Sequence, residues 1–104
     1  MHGEVDDALA AFELADQLEP EETAALRQSC RIAFESGRWE PARAALERLA
    51  TRVPDDPSVL HNLGLARWQA GDLPAARRDW ECSLRLRPGY RETERLLRET
   101  GAPG

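Results

Sequence analysis

Two arginines in the first third of the chain are the side chains best suited to binding chemistry. Arg27 and Arg31 are four residues apart, so on a helix they would lie on one face, one turn apart. Guanidinium groups placed in this way can hold a carboxylate through charge-assisted, bidentate hydrogen bonds. The alternative is ordinary solvated charge, with Arg31 paired to Glu35 at the same four-residue spacing and contributing little. Both interpretations require a helix at this position.

Catalytic and metal chemistry are not expected. His2 and His61 have no cysteine or paired acid at ligand spacing, so no zinc site is predicted. Cys30 and Cys82 are too few for a disulfide framework and are interpreted as small packing residues. The sequence shows no nucleophile with a base beside it and no glycine-rich phosphate loop, and its carboxylates fall on helices that would be solvated. We therefore expect a protein that is not an enzyme and that uses no cofactor.

Composition narrows the class of protein further. Apolar residues make up 41% and charged residues 32% of 104 residues, which is ordinary for helical proteins, and the apolar runs are too short to cross a bilayer. The first seven residues lack the features of a secretory signal, so a cytoplasmic location is expected. All 14 basic residues are arginine, which we attribute to a GC-rich, bacterial genome. They alternate with acidic residues over much of the chain, so nucleic acid is not an expected partner.

Three residue types recur at a spacing of 34 along the chain. Each has a different mechanical role: glycine breaks a helix, alanine is small where helices cross, and proline stops a helix. A shared period in three such roles indicates an array of short helical hairpins, each of which buries its apolar face against its neighbours. The three sets are Gly3, Gly37 and Gly71; Ala8, Ala42 and Ala76; Pro20, Pro54 and Pro88.

Residues 57–90 show the repeating unit best. Asp56 and Pro57 predict the start of a first helix, Gly71 predicts a break, and Asp72 and Pro74 predict the start of a second helix that runs to about residue 86. Residues 23–56 repeat this plan, and residues 3–20 match only its second helix. Residues 91–100 predict one more, polar helix that caps the array, and residues 101–104 form a helix-breaking tail. The chain is thus predicted to be a single all-α domain of about six helices.

With the period in hand, the chain resembles the tetratricopeptide repeat (TPR) family. The resemblance rests on Leu60, Leu63, Gly64, Ala76, Trp80 and Pro88, which stand in the family's order and spacing. It implies a right-handed superhelix of antiparallel helix-turn-helix repeats that acts as a scaffold for protein–protein interaction. Gly64 and Ala76 are expected to be small because two helix backbones approach there. Arg67 replaces the family's usual aromatic residue, and we expect it to weaken one packing contact.

The resemblance also implies where a partner binds. TPR arrays line a concave groove with the first helix of each repeat, and some members hold a C-terminal carboxylate with basic residues and asparagines. Arg27, Asn62 and Arg95 match those positions, whereas Arg31 and Glu99 depart from them, and Arg95 and Glu99 could instead form an ordinary ion pair. The expected partner is a protein or peptide with an acidic or C-terminal carboxylate segment. The predicted groove residues are Arg27, Arg31, Phe34, His61, Asn62, Leu65, Trp68 and Arg95.

A second hypothesis concerns the start of the chain. The helix predicted for residues 3–20 lacks the first helix that would cover its outer side, and an uncovered apolar face favours self-association. Val5, Leu9 and Phe12 would then form the contact between two copies in a homodimer. The chain would act as an oligomerisation module instead of a peptide receptor.

Overall fold

The computed structural model describes residues 8–9 and 23–101, and this part of the chain is helical with short connecting turns. No helix among these residues is long and apolar enough to cross a membrane. The predicted all-α fold is confirmed. The helices between residues 23 and 101 are α1 (Ala24–Glu35), α2 (Trp39–Arg52), α3 (Pro57–Gln69), α4 (Leu73–Leu86) and α5 (Arg91–Glu99).

Local sequence signals set where the hairpins begin and turn. The Asp56 carboxylate caps α3 by accepting a hydrogen bond from the Ser58 N–H at 3.0 Å, and Asp72 caps α4 in the same way. Gly37 and Gly71 have φ angles of 69° and 92°, in the left-handed region that side-chain-bearing residues avoid. Each glycine lies where one helix of a hairpin gives way to the next.

Each helix packs on the next one in the chain, from α1 through to α5. The largest apolar cluster joins α1, α2 and α3, and Leu9 belongs to it. Trp80 on α4 is fully buried and fills the second hairpin. The cluster consists of Leu9, Leu26, Cys30, Ala33, Ala42, Ala45, Leu46, Leu49, Val59, Leu63 and Ala66.

Position 64 requires a glycine for a different reason from the one predicted. A Cβ atom on Gly64 would collide with the indole of Trp80, which lies against the backbone of α3. The indole N–H of Trp80 donates to the His61 carbonyl at 3.1 Å, which holds the ring in this place. The close approach is therefore between a backbone and a ring, where two backbones were expected.

Arg67 makes strong contacts at the position where an aromatic residue is usual. Its Nη1 donates to both carboxylate oxygens of Asp79 at 2.9 Å, and its Nη2 donates to Glu47 Oε2 at 3.0 Å. Arg43 forms an ion pair with the same Glu47, from Nη1 to Oε1 at 2.8 Å, and another with Glu40, from Nη2 to Oε2 at 2.6 Å. These five residues form an ionic chain across α2, α3 and α4, so charge pairing takes the place of the packing contact that was expected to weaken.

Candidate functional site

A cleft of about 350 Å³ opens between α1 and α3. We call it the α1–α3 cleft. Its floor is apolar and buried, and its walls are polar, with two arginines and a glutamate on the α1 side and a hydroxyl and an amide on the α3 side. The floor consists of Cys30, Leu46, Leu49 and Val59, and the walls include Arg27, Arg31, Glu35, Ser58 and Asn62.

The two arginines of the α1 wall lie on one helix face, as their spacing predicts, and both are exposed. Arg31 Nη2 donates to the side-chain oxygen of Gln28, one turn earlier on α1. Arg27 Nη2 donates to Asp56 Oδ2 at 3.3 Å, across the gap to the start of α3. The α1 wall of the cleft therefore carries two guanidinium groups and one carboxylate, that of Glu35.

Asp56 has two separate sets of partners. Its Oδ1 accepts from the Ser58 N–H at 3.0 Å and from the Ser58 hydroxyl at 2.6 Å, whereas its Oδ2 faces Arg27. Partial burial acts to raise the pKa of Asp56, but the hydrogen bonds from Ser58 and Arg27 outweigh it and the net pKa is lowered. The carboxylate is therefore charged at neutral pH. The sequence reveals Asp56 as a helix cap but gives no sign of its contact with Arg27, which is 29 residues away.

The thiol in the cleft floor, that of Cys30, is expected to be unreactive. Burial raises the pKa of Cys30 to about 12, so the group stays protonated and behaves as a small apolar side chain. Within residues 8–9 and 23–101, no three His, Cys, Asp or Glu side chains gather where a metal ion could bind. What the cleft offers is charge and apolar contact.

The two aromatic residues predicted for the groove differ in their contacts. Phe34 packs edge-on against Trp39, with ring centroids 5.5 Å apart, and it lines the α1–α3 cleft while half-buried against the core. Trp68 packs edge-on against Trp80 at 5.9 Å and is 37% exposed. Trp68 is therefore the aromatic residue with more surface left for a partner.

His61 lies in the interface between α3 and α5. It is 8% exposed, its Nδ1 is 2.7 Å from Thr93 Oγ1, and its ring stacks on Tyr90 at 5.0 Å. Burial lowers the pKa of His61, although the carboxylate of Glu92 acts in the opposite direction. His61 was predicted to line the groove, and in the structure it is buried and in contact with Thr93 and Tyr90.

The remaining predicted groove residues lie apart from the cleft. Arg95 is on α5 and its Nε donates to Glu99 at 2.8 Å, which is the ion pair that the alternative interpretation expected. Leu65 is half-buried on α3. The structure thus brings Arg27, Arg31, Phe34 and Asn62 to one cleft, whereas the other four predicted residues do not line it.

The residues predicted for self-association are only partly described. Leu9 is 8% exposed and packs in the core cluster, so it contributes no exposed apolar surface. Val5 and Phe12 lie outside the described residues. Leu9 is thus buried within the chain itself, and self-association remains a prediction.

Stacked helical hairpins with a cleft along their first helices define this molecule as a helical repeat protein. A family model described as "Tetratricopeptide repeat" matches residues 1–67. The chain belongs to the tetratricopeptide repeat family.

The chain is similar to one curated relative and to several solved structures. It is 30% identical over 87 residues to "Protein CTR9 homolog" of Arabidopsis thaliana. The matched region covers 83% of this chain but only 8% of the length of that protein. The structure titled "MamA RS-1 ArsTM double mutant" matches with a TM-score of 0.79 at 20% identity, over 91% of this chain and 53% of the other. The structure titled "First TPR of Spaghetti (RPAP3) bound to HSP90 peptide SRMEEVD" has a TM-score of 0.79 at 19% identity, over 94% of this chain and 78% of the other. These structures confirm the TPR fold.

Proposed function

We propose that this chain is a non-catalytic scaffold that binds an acidic peptide segment of a partner protein in its concave groove. The α1–α3 cleft is the anchor site. Arg27 and Arg31 bind carboxylates of the partner, and Asn62 on the opposite wall hydrogen-bonds its backbone. Phe34 and the apolar floor receive a side chain of the partner.

The observation that carries this proposal is the composition of the cleft. A buried apolar floor beneath a wall with two exposed cations and one carboxylate, Glu35, suits a ligand that carries both an apolar side chain and negative charge. Arginine is the side chain best suited to carboxylate binding, because its planar N–H groups match the two oxygens of that group.

One solved structure of similar fold supports a peptide ligand and leaves its register open. It is a TPR domain bound to the peptide SRMEEVD, whose sequence is acidic. In this chain Arg31 replaces an asparagine of the carboxylate-binding pattern, and Glu99 replaces a basic residue and is paired with Arg95. We therefore place the charge recognition at Arg27 and Arg31, with Leu65 and Trp68 extending the groove toward α5. Arg95 lies at the far end, where its charge is offset by Glu99, and His61 supports the groove through its contacts with Tyr90 and Thr93.

The test is capture of partners from the native lysate with wild type and with Arg27→Glu/Arg31→Glu. A matched control, Arg85→Glu/Arg98→Glu, makes the same charge change at exposed positions outside the cleft. Partners that bind through the cleft are lost with the first variant and kept with the control, and their retention falls steeply as salt is added. Circular dichroism checks that both variants fold. Recovery of identical partners by wild type and both variants would rule out the cleft as the binding site.

Self-association through Val5, Leu9 and Phe12 is the alternative function. It predicts a mass that rises with concentration and that Phe12→Glu returns to that of the monomer, as measured by sedimentation equilibrium. A monomeric mass for wild type at high concentration would remove this alternative. The burial of Leu9 in the core favours groove binding over it.

A further inference from the structure

The Arg27–Asp56 ion pair joins α1 to the start of α3, at the Ser58 end of the α1–α3 cleft. The distance from Arg27 Nη2 to Asp56 Oδ2 is 3.3 Å, longer than in the ion pairs of Arg43, Arg67 and Arg95. The Arg27 side chain is 47% exposed and that of Asp56 is 28% exposed. A pair of this length and exposure is weak and readily exchanged.

Asp56 does not depend on Arg27 for its structural role. Its Oδ1 caps α3 through the Ser58 N–H and also accepts from the Ser58 hydroxyl, so the cap stays intact when Oδ2 loses its partner. Arg27, by contrast, lines the cleft and is a group proposed to bind the partner. The contact can therefore open without loss of a helix cap.

We propose that Asp56 is an internal competitor for the carboxylate of the partner. In the free protein the Oδ2 atom of Asp56 is paired with the Arg27 guanidinium. When an acidic peptide binds, its carboxylate replaces Oδ2 at Arg27, while Oδ1 continues to cap α3. This inference rests on the proposed function, because it assigns Arg27 to the binding of the ligand.

The arrangement has a consequence for selectivity. The negative charge of Asp56 beside Arg27 opposes the approach of any carboxylate, so a ligand must displace one favourable contact before it gains another. A peptide with carboxylates for both Arg27 and Arg31 overcomes this competition more easily than a peptide with one. Asp56, together with the Glu35 carboxylate on the α1 wall, thus raises how acidic a segment must be before the cleft retains it.

The test compares wild type with Asp56→Asn. Asparagine caps helices as well as aspartate does, so this variant keeps α3 intact while removing the charge that faces Arg27. The matched control is Asp55→Asn, which removes the same charge from an exposed neighbour. The probe is a fluorescein-labelled peptide of alternating glutamate and leucine, made with a free and with an amidated C-terminus. A second probe replaces each glutamate by glutamine, and fluorescence anisotropy gives the dissociation constants.

We expect Asp56→Asn to bind the acidic probe about two- to fivefold more tightly than wild type, as release of an exposed ion pair allows. Asp55→Asn should change binding less, and the glutamine probe should not distinguish Asp56→Asn from wild type. The tighter binding caused by Asp56→Asn should largely disappear in an Arg27→Gln background, because Asp56 then has no guanidinium to pair with. Equal gains with both probe termini would show that side-chain carboxylates compete with Asp56, and a gain confined to the free terminus would show that the terminal carboxylate does.

Two failures are distinguishable. If wild type binds the acidic probe and Asp56→Asn binds it no more tightly, or if Asp55→Asn gives the same gain, the competitor role is wrong and the groove function stands. If neither wild type nor any variant binds acidic probes over glutamine probes, the proposed function itself is wrong and the inference falls with it.

Discussion

Arg67 offers the most informative test of how the two hairpins are held together. We consider Arg67→Met, which keeps a long side chain of similar volume but removes the charge. In wild type Arg67 Nη1 contacts both oxygens of Asp79, and the Asp79 side chain is only 11% exposed. The substitution therefore leaves the buried carboxylate without its hydrogen-bonded cation, and only the charge of Arg78 still acts on it.

The magnitude follows from the burial of the two partners. Removing one member of a buried ion pair costs about 3–5 kcal/mol, whereas exposed pairs contribute up to about 1 kcal/mol. The Arg67 side chain is 24% exposed, so water softens the loss and we expect about 2–3 kcal/mol of unfolding free energy. At about 4–8 °C per kcal/mol for a domain of this size, Tm should fall by on the order of 10–20 °C.

The assay is urea denaturation followed by circular dichroism, with Arg43→Met as the control. Arg43 belongs to the same ionic chain, but its partners Glu40 and Glu47 are 66% and 40% exposed, so its loss should be much smaller. The second control is Arg67→Met/Asp79→Leu, which removes the buried carboxylate as well and should recover most of the stability.

The dependence on pH adds a second check on the same variant. Burial raises the pKa of Asp79, and in wild type Arg67 acts against this shift. Without Arg67 the folded-state pKa rises further above its unfolded value, so the variant favours the protonated form. Its deficit relative to wild type should therefore shrink as pH falls. The reasoning is refuted if Arg67→Met costs no more than Arg43→Met, or if its deficit grows on acidification.

Three further predictions concern the core and the cleft. Gly64→Ala should lower stability by about 1–3 kcal/mol and change the near-ultraviolet dichroism, because the new methyl group displaces Trp80; an unchanged spectrum would contradict the close approach. Burial lowers the pKa of His61, so the neutral side chain contributes fully to stability above the usual histidine pKa, and this contribution is lost as pH falls through the lower pKa of the folded state. In His61→Gln the free energy of unfolding should therefore change less between pH 7 and 5 than in wild type. An unaltered dependence on pH would count against this reasoning. Iodoacetamide should modify Cys82 before Cys30 in the folded protein, as read by peptide mass spectrometry, and the reverse order would exclude an inert Cys30.

Much of the fold could be predicted because the signals that shape it act locally. Gly37 and Gly71 mark the hairpin turns through their own backbone angles, and Asp56 and Asp72 mark helix starts through bonds to residues two and three positions later. Such effects are visible in one sequence because they involve near neighbours. Arg27 and Arg31 share a face for the same reason.

The contacts between helices could not be read in this way. The pairs Arg27–Asp56, Arg67–Asp79 and His61–Thr93 join residues on different helices, and their geometry depends on how those helices cross. His61 stands at a position that the helical period assigns to the groove face, yet α5 folds over it. Arg67 has the spacing of a packing residue, and only the placement of Asp79 shows why a charge is tolerated there.

The ionic chain bears on whether the repeats could be rearranged. Arg67 and Asp79 lie in residues 57–90, and the corresponding positions in the preceding repeat hold Ala33 and Ala45, both buried. Glu81 stands one period after Glu47, which contacts Arg67 from the preceding repeat. In tandem copies of residues 57–90, each internal Arg67 would contact Asp79 of its own copy and Glu81 of the preceding copy. If a copy of residues 23–56 followed instead, Glu81 would lie opposite Ala33. The two repeats are not equivalent building blocks, because only copies of the second would reproduce the ion pairs of Arg67 between neighbouring repeats.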